Sequence, residues 1–167
     1  MKGKARLRVQ DRNGQPGHDP YYNQHSPVDR SYCKKCHAIY HHKHWHFDKI
    51  EIQNLMKAKD KAVLCPACKK ITDKFASGVV TLNGDFVRNH REEIINLIRN
   101  EEKRASGLNP LERIIEIQAK ASGMEVTTTH EKLAQRIGKR LHSAFRGDVT
   151  YQWMPQDKMA RVQWSRP

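Results

Sequence analysis

The sequence predicts an α+β fold: a cysteine-built ribbon, then a helix, then a small ββαββ domain. Three observations predict it. The only four cysteines form two matched pairs, Cys33-Lys34-Lys35-Cys36 and Cys65-Pro66-Ala67-Cys68, with twenty-eight residues between them. Asn83-Gly84 stands between two short β-prone runs. The last third alternates strand-like and helix-like periods around turn residues.

Taken in order, residues 1–30 carry basic side chains with Gly14, Pro16, Gly17, Pro20 and Pro27 and show no apolar period, which predicts a disordered basic arm. Residues 31–75 hold both cysteine pairs. Each C-x-x-C can fold as a tight knuckle that aims two sulfurs at one point, and two knuckles make a tetrahedral thiolate cage for zinc. Ile39, Tyr40 and Trp45 are expected to cover that cage, with an amphipathic stretch at 50–56 alongside. A unit of this size has a small core and needs its metal to stay folded.

Residues 76–108 are expected to form a hairpin and a connecting helix. Val79-Val80-Thr81-Leu82 and Asp85-Phe86-Val87 flank Asn83-Gly84, a two-residue hairpin signal. Asn89 and Glu92 read as a capping box for a helix with Ile94, Ile95, Leu97 and Ile98 on its apolar side, broken at Ser106-Gly107-Leu108-Asn109-Pro110.

Residues 109–167 are expected to form the ββαββ domain. Strands are predicted at 113–118 and 125–129, then a helix capped by Thr128 and Glu131 and running to about Phe145. A closing hairpin at 149–153 and 159–164 surrounds Pro155-Gln156-Asp157. Leu133, Ile137, Leu141 and Ala144 share one helix side, and Lys132, Arg136, Lys139 and Arg140 the other. The whole is a helix on one face of a four-stranded antiparallel sheet.

Charge points to a polyanionic partner. The chain has 31 Lys+Arg against 18 Asp+Glu, a formal net charge of +13. Residues 32–70 carry nine basic and three acidic side chains, and 111–167 carry ten and six, whereas 71–110 balance. Such a field favours RNA or DNA. The RNA-contacting candidates are Lys34, Lys35, Lys43, Lys69 and Lys70 around the cysteines, with Lys132, Arg136, Lys139 and Arg140 on the helix. The run His41-His42-Lys43-His44-Trp45-His46, preceded by His37, offers imidazoles for bases or phosphates, or else lies on an exposed hairpin without duty. No apolar run approaches the ~20 residues that span a bilayer. Residues 1–12 are basic and polar rather than leader-like, so a cytoplasmic location is expected, favouring metal over disulfides. A redox C-x-x-C is set aside because neither pair shows the helix-start context of that chemistry. No catalytic triad, carboxylate pair or phosphate-binding glycine loop stands at suggestive spacing, so the expected role is binding rather than catalysis.

Tyr32-Cys33-Lys34-Lys35-Cys36 with Ala38-Ile39-Tyr40 and Trp45 resembles the first knuckle of a small bacterial zinc-ribbon family. Leu64-Cys65-Pro66-Ala67-Cys68 with 78–84, and Val126-Thr127-Thr128-Thr129 with Leu133-Ala134 and Ile137-Gly138, resemble its later parts. That family is similar at its N-terminus to the export adapter of the large ribosomal subunit in archaea and eukaryotes. The resemblance implies rRNA, and hence the ribosome, as partner, with Cys33, Cys36, Cys65 and Cys68 as zinc ligands. The same cysteines also resemble rubredoxin, the iron electron carrier. Rubredoxins are acidic and usually place Gly after the second cysteine of each pair, where this chain has His37 and Lys69. An adapter for an acidic protein partner is the competing binding class.

Overall fold

The computed structural model describes residues 19–21, 26–58 and 61–167. It is mixed α+β, with two sheets and, among the described residues, five α-helices. Most of the arm expected at 1–30 lies outside the described residues. Asp19–Tyr21 are placed, however, and pack against the cysteine unit through Tyr21 and Phe75, whose ring centroids are 4.8 Å apart.

The first sheet is small. Its strands are β1 (Ser31–Cys33), β2 (Ile39–His41), β3 (His44–His46) and β4 (Ala62–Val63), in the order β3-β2-β1-β4. The β2–β3 turn is the pair His42-Lys43 at φ 49° and 64°, left-handed values that match a primed two-residue turn and the twist of its strands. Helix α1 (Lys49–Lys57) follows, capped by Asp48, whose carboxylate accepts from the Ile50 and Glu51 amides. It forms where the amphipathic stretch is expected, yet buries only Leu55 and leaves Ile50 75 % exposed. Helix α2 (Pro66–Asp73) begins at the second cysteine pair and ends on Lys74 at φ 53°.

The second sheet has five strands: β5 (Gly78–Asn83), β6 (Ile114–Lys120), β7 (Gly123–Thr128), β8 (Asp148–Met154) and β9 (Met159–Ser165), in the order β6-β7-β5-β9-β8. Here the structure corrects the expected architecture. The predicted elements β6, β7, α5 (Glu131–Phe145), β8 and β9 all form, but they do not make a four-stranded antiparallel sheet. Strand β5 lies at the centre, antiparallel to β7 and parallel to β9.

The hairpin expected at Asn83-Gly84 is therefore absent. Residues 85–87 belong to helix α3 (Asp85–Asn89) instead. Long-range burial outweighs the local turn signal, because Val80 and Leu82 are fully buried between two partner strands. Gly84 still uses its positive φ of 112°, but to turn the chain past the Arg166 backbone, where a Cβ would lie 1.9 Å from the carbonyl oxygen.

Helix α4 (Arg91–Leu108) is longer than expected, and Ser106 and Gly107 lie inside it. Neither capping box forms. His90 and His130 hold the N-cap positions of α4 and α5. The Thr128 hydroxyl instead donates to the His130 carbonyl, 2.8 Å away. Helices α4 and α5 supply Ile94, Ile98, Leu133, Ile137 and Leu141 to one core with Val80, Leu82, Val126, Val162 and Trp164 of the sheet. Ala144, expected on the same side of α5, is exposed.

Candidate metal centre

Cys33, Cys36, Cys65 and Cys68 converge, with all four sulfurs within 4.8 Å of one another. The Cys36 and Cys65 sulfurs are 3.6 Å apart. Four thiolates ~2.3 Å from one tetrahedral ion have sulfurs separated by roughly 3.8 Å, so the cluster fits a single metal ion. Cys33, Cys65 and Cys68 are buried and Cys36 is partly exposed.

Two different local structures present these thiols. The first pair is a knuckle at the end of β1: the His37 amide donates to the Cys33 carbonyl at 2.9 Å, and His37 takes φ 63°. His37 thus adopts the left-handed backbone for which glycine is the usual choice. The second pair is not a knuckle. Cys65 is the N-cap of α2, Pro66 opens the helix and Cys68 lies in its first turn. A C-x-x-C at a helix start is the context whose expected absence set redox chemistry aside, and Cys65 has it. What separates the pair from a dithiol is the arrival of Cys33 and Cys36 at the same point.

Backbone amides add to the site. The Cys65 amide donates to the Cys33 sulfur and the Cys68 amide to the Cys65 sulfur, each at 3.4 Å. Four crowded thiols do not ionise independently. Hydrogen bonding to Cys33 is the main cause that pushes the Cys65 and Cys68 thiols far up, and Cys33 itself is driven down by its bond to Cys36. A cation at the centre removes this conflict by accepting all four as thiolates. Trp45, Leu64 and Leu111 pack around the cluster, while Ile39 and Tyr40, expected to cover it as well, are buried within β2 of the hairpin and lie outside that group.

The histidine run is that hairpin. His41 Nδ1 lies 3.0 Å from Asp29 Oδ2, and His46 Nε2 lies 3.2 Å from Glu51 Oε2. Among the described residues, no histidine joins the sulfur cluster.

The predicted RNA contacts divide. Lys34, Lys35, Lys43 and Lys69 are exposed around the cysteine unit. Lys70 is not: its side chain is 2 % exposed. Its ammonium ion-pairs with Asp19 and donates to the Ser77 hydroxyl at 2.9 Å and the Thr129 carbonyl at 3.0 Å. Lys70 is therefore a structural tie and cannot face a phosphate, because burying an ammonium demands partners. On α5, Lys132 and Lys139 are exposed. Arg136 pairs with the buried Glu112 at 3.0 Å, and Arg140 with the buried Glu101 at 3.6 Å. Half of the expected cationic face is thus paired with buried carboxylates.

Sequence reasoning missed the Asp19–Lys70 tie and the role of Leu111, which follows α4 in the chain and packs on the cysteines. Adjacent lysines such as Lys69 and Lys70 give no signal of which one turns inward. Tyr21 belongs to the same tie: its hydroxyl donates to Asp73 Oδ2 at 2.7 Å, and desolvation together with Asp73 pushes its pKa up to about 12.

Compared with family models, curated proteins and solved structures, the chain matches none. Among the described residues, no helix is long and apolar enough to cross a membrane.

Proposed function

We propose that this protein is a non-enzymatic, zinc-stabilised RNA-binding protein that acts on the ribosome by occupying an rRNA site in the cytoplasm. The observation that carries the reading is the set of exposed lysines, Lys34, Lys35, Lys43 and Lys69, on the unit that the four cysteines organise. None of them has an acidic partner among the described residues. The chain's net charge of +13 acts in the same direction. Zinc is the metal of this reading, since four thiolates in a closed tetrahedral set suit a structural zinc ion. The distant likeness to the subunit export adapter supports rRNA over other polyanions.

Sedimentation of cell lysate through sucrose gradients tests this function. The protein is expected to travel with ribosomes or the large subunit at moderate salt and to be released as salt rises, because each neutralised phosphate returns condensed counterions. Protein that stays at the top of the gradient at low salt, from growing and starved cells alike, rules the ribosome out. A ribonuclease-resistant complex identifies an acidic protein partner instead.

A further inference from the structure

A cavity of about 740 Å³ opens beside the metal centre, between the β2–β3 hairpin and the start of α2. Its wall combines two chemistries. Half-buried Trp45 supplies aromatic surface, and the buried Tyr40 ring lies against it, with centroids 5.3 Å apart and planes tilted by 54°. Lys43, His44 and Lys69 stand on it as exposed cations or potential cations. Among the described residues, no Asp or Glu lines the cavity. The volume lies within the ~300–1,000 Å³ of ordinary ligand sites.

We propose that this cavity receives one unstacked base of single-stranded RNA, which packs on Trp45 while its flanking phosphates meet Lys43 and Lys69. The proposal rests on the RNA-binding reading and sharpens it from surface attraction to a defined subsite. Aromatic rings stack on any base, since every base has a π-face, and lysines at the rim hold the backbone without reading sequence. An acidic peptide would satisfy the lysines but leave the aromatic wall unused. Trp45 also packs against the cysteine cluster, so the metal centre and the subsite share a residue. The two ends of the hairpin then have separate duties: Trp45 on β3 forms the wall, and Lys43 in the turn reaches the backbone.

The test uses the full chain loaded with zinc and three probes: octauridylate, an abasic octaribonucleotide of equal charge, and octaglutamate. Affinities come from fluorescence anisotropy over a salt series, and the Trp45 indole N–H is followed by NMR. Octauridylate is expected to bind about tenfold or more tighter than the abasic strand, the size of one good stack, and to shift the Trp45 resonance. Trp45→Leu is expected to erase that difference while retaining stoichiometric zinc. Lys43→Gln and Lys69→Gln, both at exposed positions that spare the core, are expected to weaken both strands equally and to flatten the salt slope.

Equal affinity for the two strands, with the Trp45 resonance unmoved, overturns the subsite and leaves RNA binding standing. Lysine substitutions without effect on either strand also overturn it. No binding of either strand at low salt removes the RNA-binding reading and the subsite together. Octaglutamate that shifts Trp45 where octauridylate does not assigns the cavity to an acidic protein.

Discussion

At the scale of single residues, the buried polar groups decide most. Lys70 holds Asp19, Ser77 and the Thr129 carbonyl around one ammonium. Lys70→Met is expected to cost about 1–3 kcal/mol, because it leaves buried acceptors unsatisfied. It should also free Tyr21 from Asp73, visible as a fall in the Tyr21 pKa by ultraviolet titration. His130 caps α5 with its ring nitrogen accepting from the Lys132 amide. Burial lowers its pKa below 6.5, outweighing the nearby Glu131 and Glu112, with Lys70 and Lys132 adding in the same sense as burial. The folded state therefore prefers neutral imidazole, so this contribution to stability is complete above pH 6.5 and falls as pH drops through that value. His130→Asn keeps a capping oxygen without a titrating group. Its stability, measured by urea denaturation, should fall less than that of the native chain between pH 7 and 5. An equal fall in both proteins places the titrating group elsewhere.

At the scale of elements, α5 shows why helix faces and binding faces differ. Charge reversal at Lys132 and Lys139 should lower RNA affinity while leaving the thermal midpoint nearly unchanged, since both side chains are exposed. Reversal at Arg136 or Arg140 should instead destabilise the fold, because it sets a new carboxylate against Glu112 or Glu101. A loss of about 1–3 kcal/mol is expected for Arg136→Glu. Circular dichroism melts beside binding curves separate the two effects. The same helix approaches the sheet closely at Gly138, where an added Cβ would lie 2.6 Å from Val162 Cγ1 and 3.1 Å from Tyr151 Cε1. Gly138→Ala should thus destabilise by about 1–3 kcal/mol through overpacking, against the helix-propensity gain of alanine. A variant as stable as the native chain would mean that α5 shifts freely on the sheet.

At the scale of the whole molecule, the cysteine unit and the five-stranded unit are joined by a buried tie rather than by proximity alone. Lys70 reaches from α2 to Ser77 and Thr129, and Leu111 packs on the cysteines. Chelation, or Cys65→Ser, is expected to abolish amide protection across about 31–73, because that unit's own core is small. The core built by β5, β9, α4 and α5 contributes no ligand and should stay protected. The tie predicts a further effect, a partial loss of protection at Ser77 and Thr129. Hydrogen exchange with and without a chelator reads all three regions. Full protection of 31–73 in metal-free protein would show that the thiols are not needed for folding.

The four cysteines, the strands at 114–128 and 148–165 and the span of α5 were legible because each has a local signal: ligand spacing, alternation, or a 3.6-residue apolar period. The Val79–Leu82 run was legible as a strand but not as the centre of a sheet, since its partners β7 and β9 lie about 40 and 80 residues further along the chain. The Asn83-Gly84 turn signal was real, and Gly84 does take positive φ. Tertiary pairing redirected it into a helix start. Likewise the cysteine spacing determined that four thiols meet, but not that one pair would be a knuckle and the other a helix cap. Charge patterning placed basic residues on α5 and at the cysteines. Only packing decided which of them remain outside, because burial of Lys70, Glu101 and Glu112 depends on partners far away in sequence. Local chemistry is written in short stretches of the chain, whereas the pairing of buried groups is fixed only when distant segments share one interior.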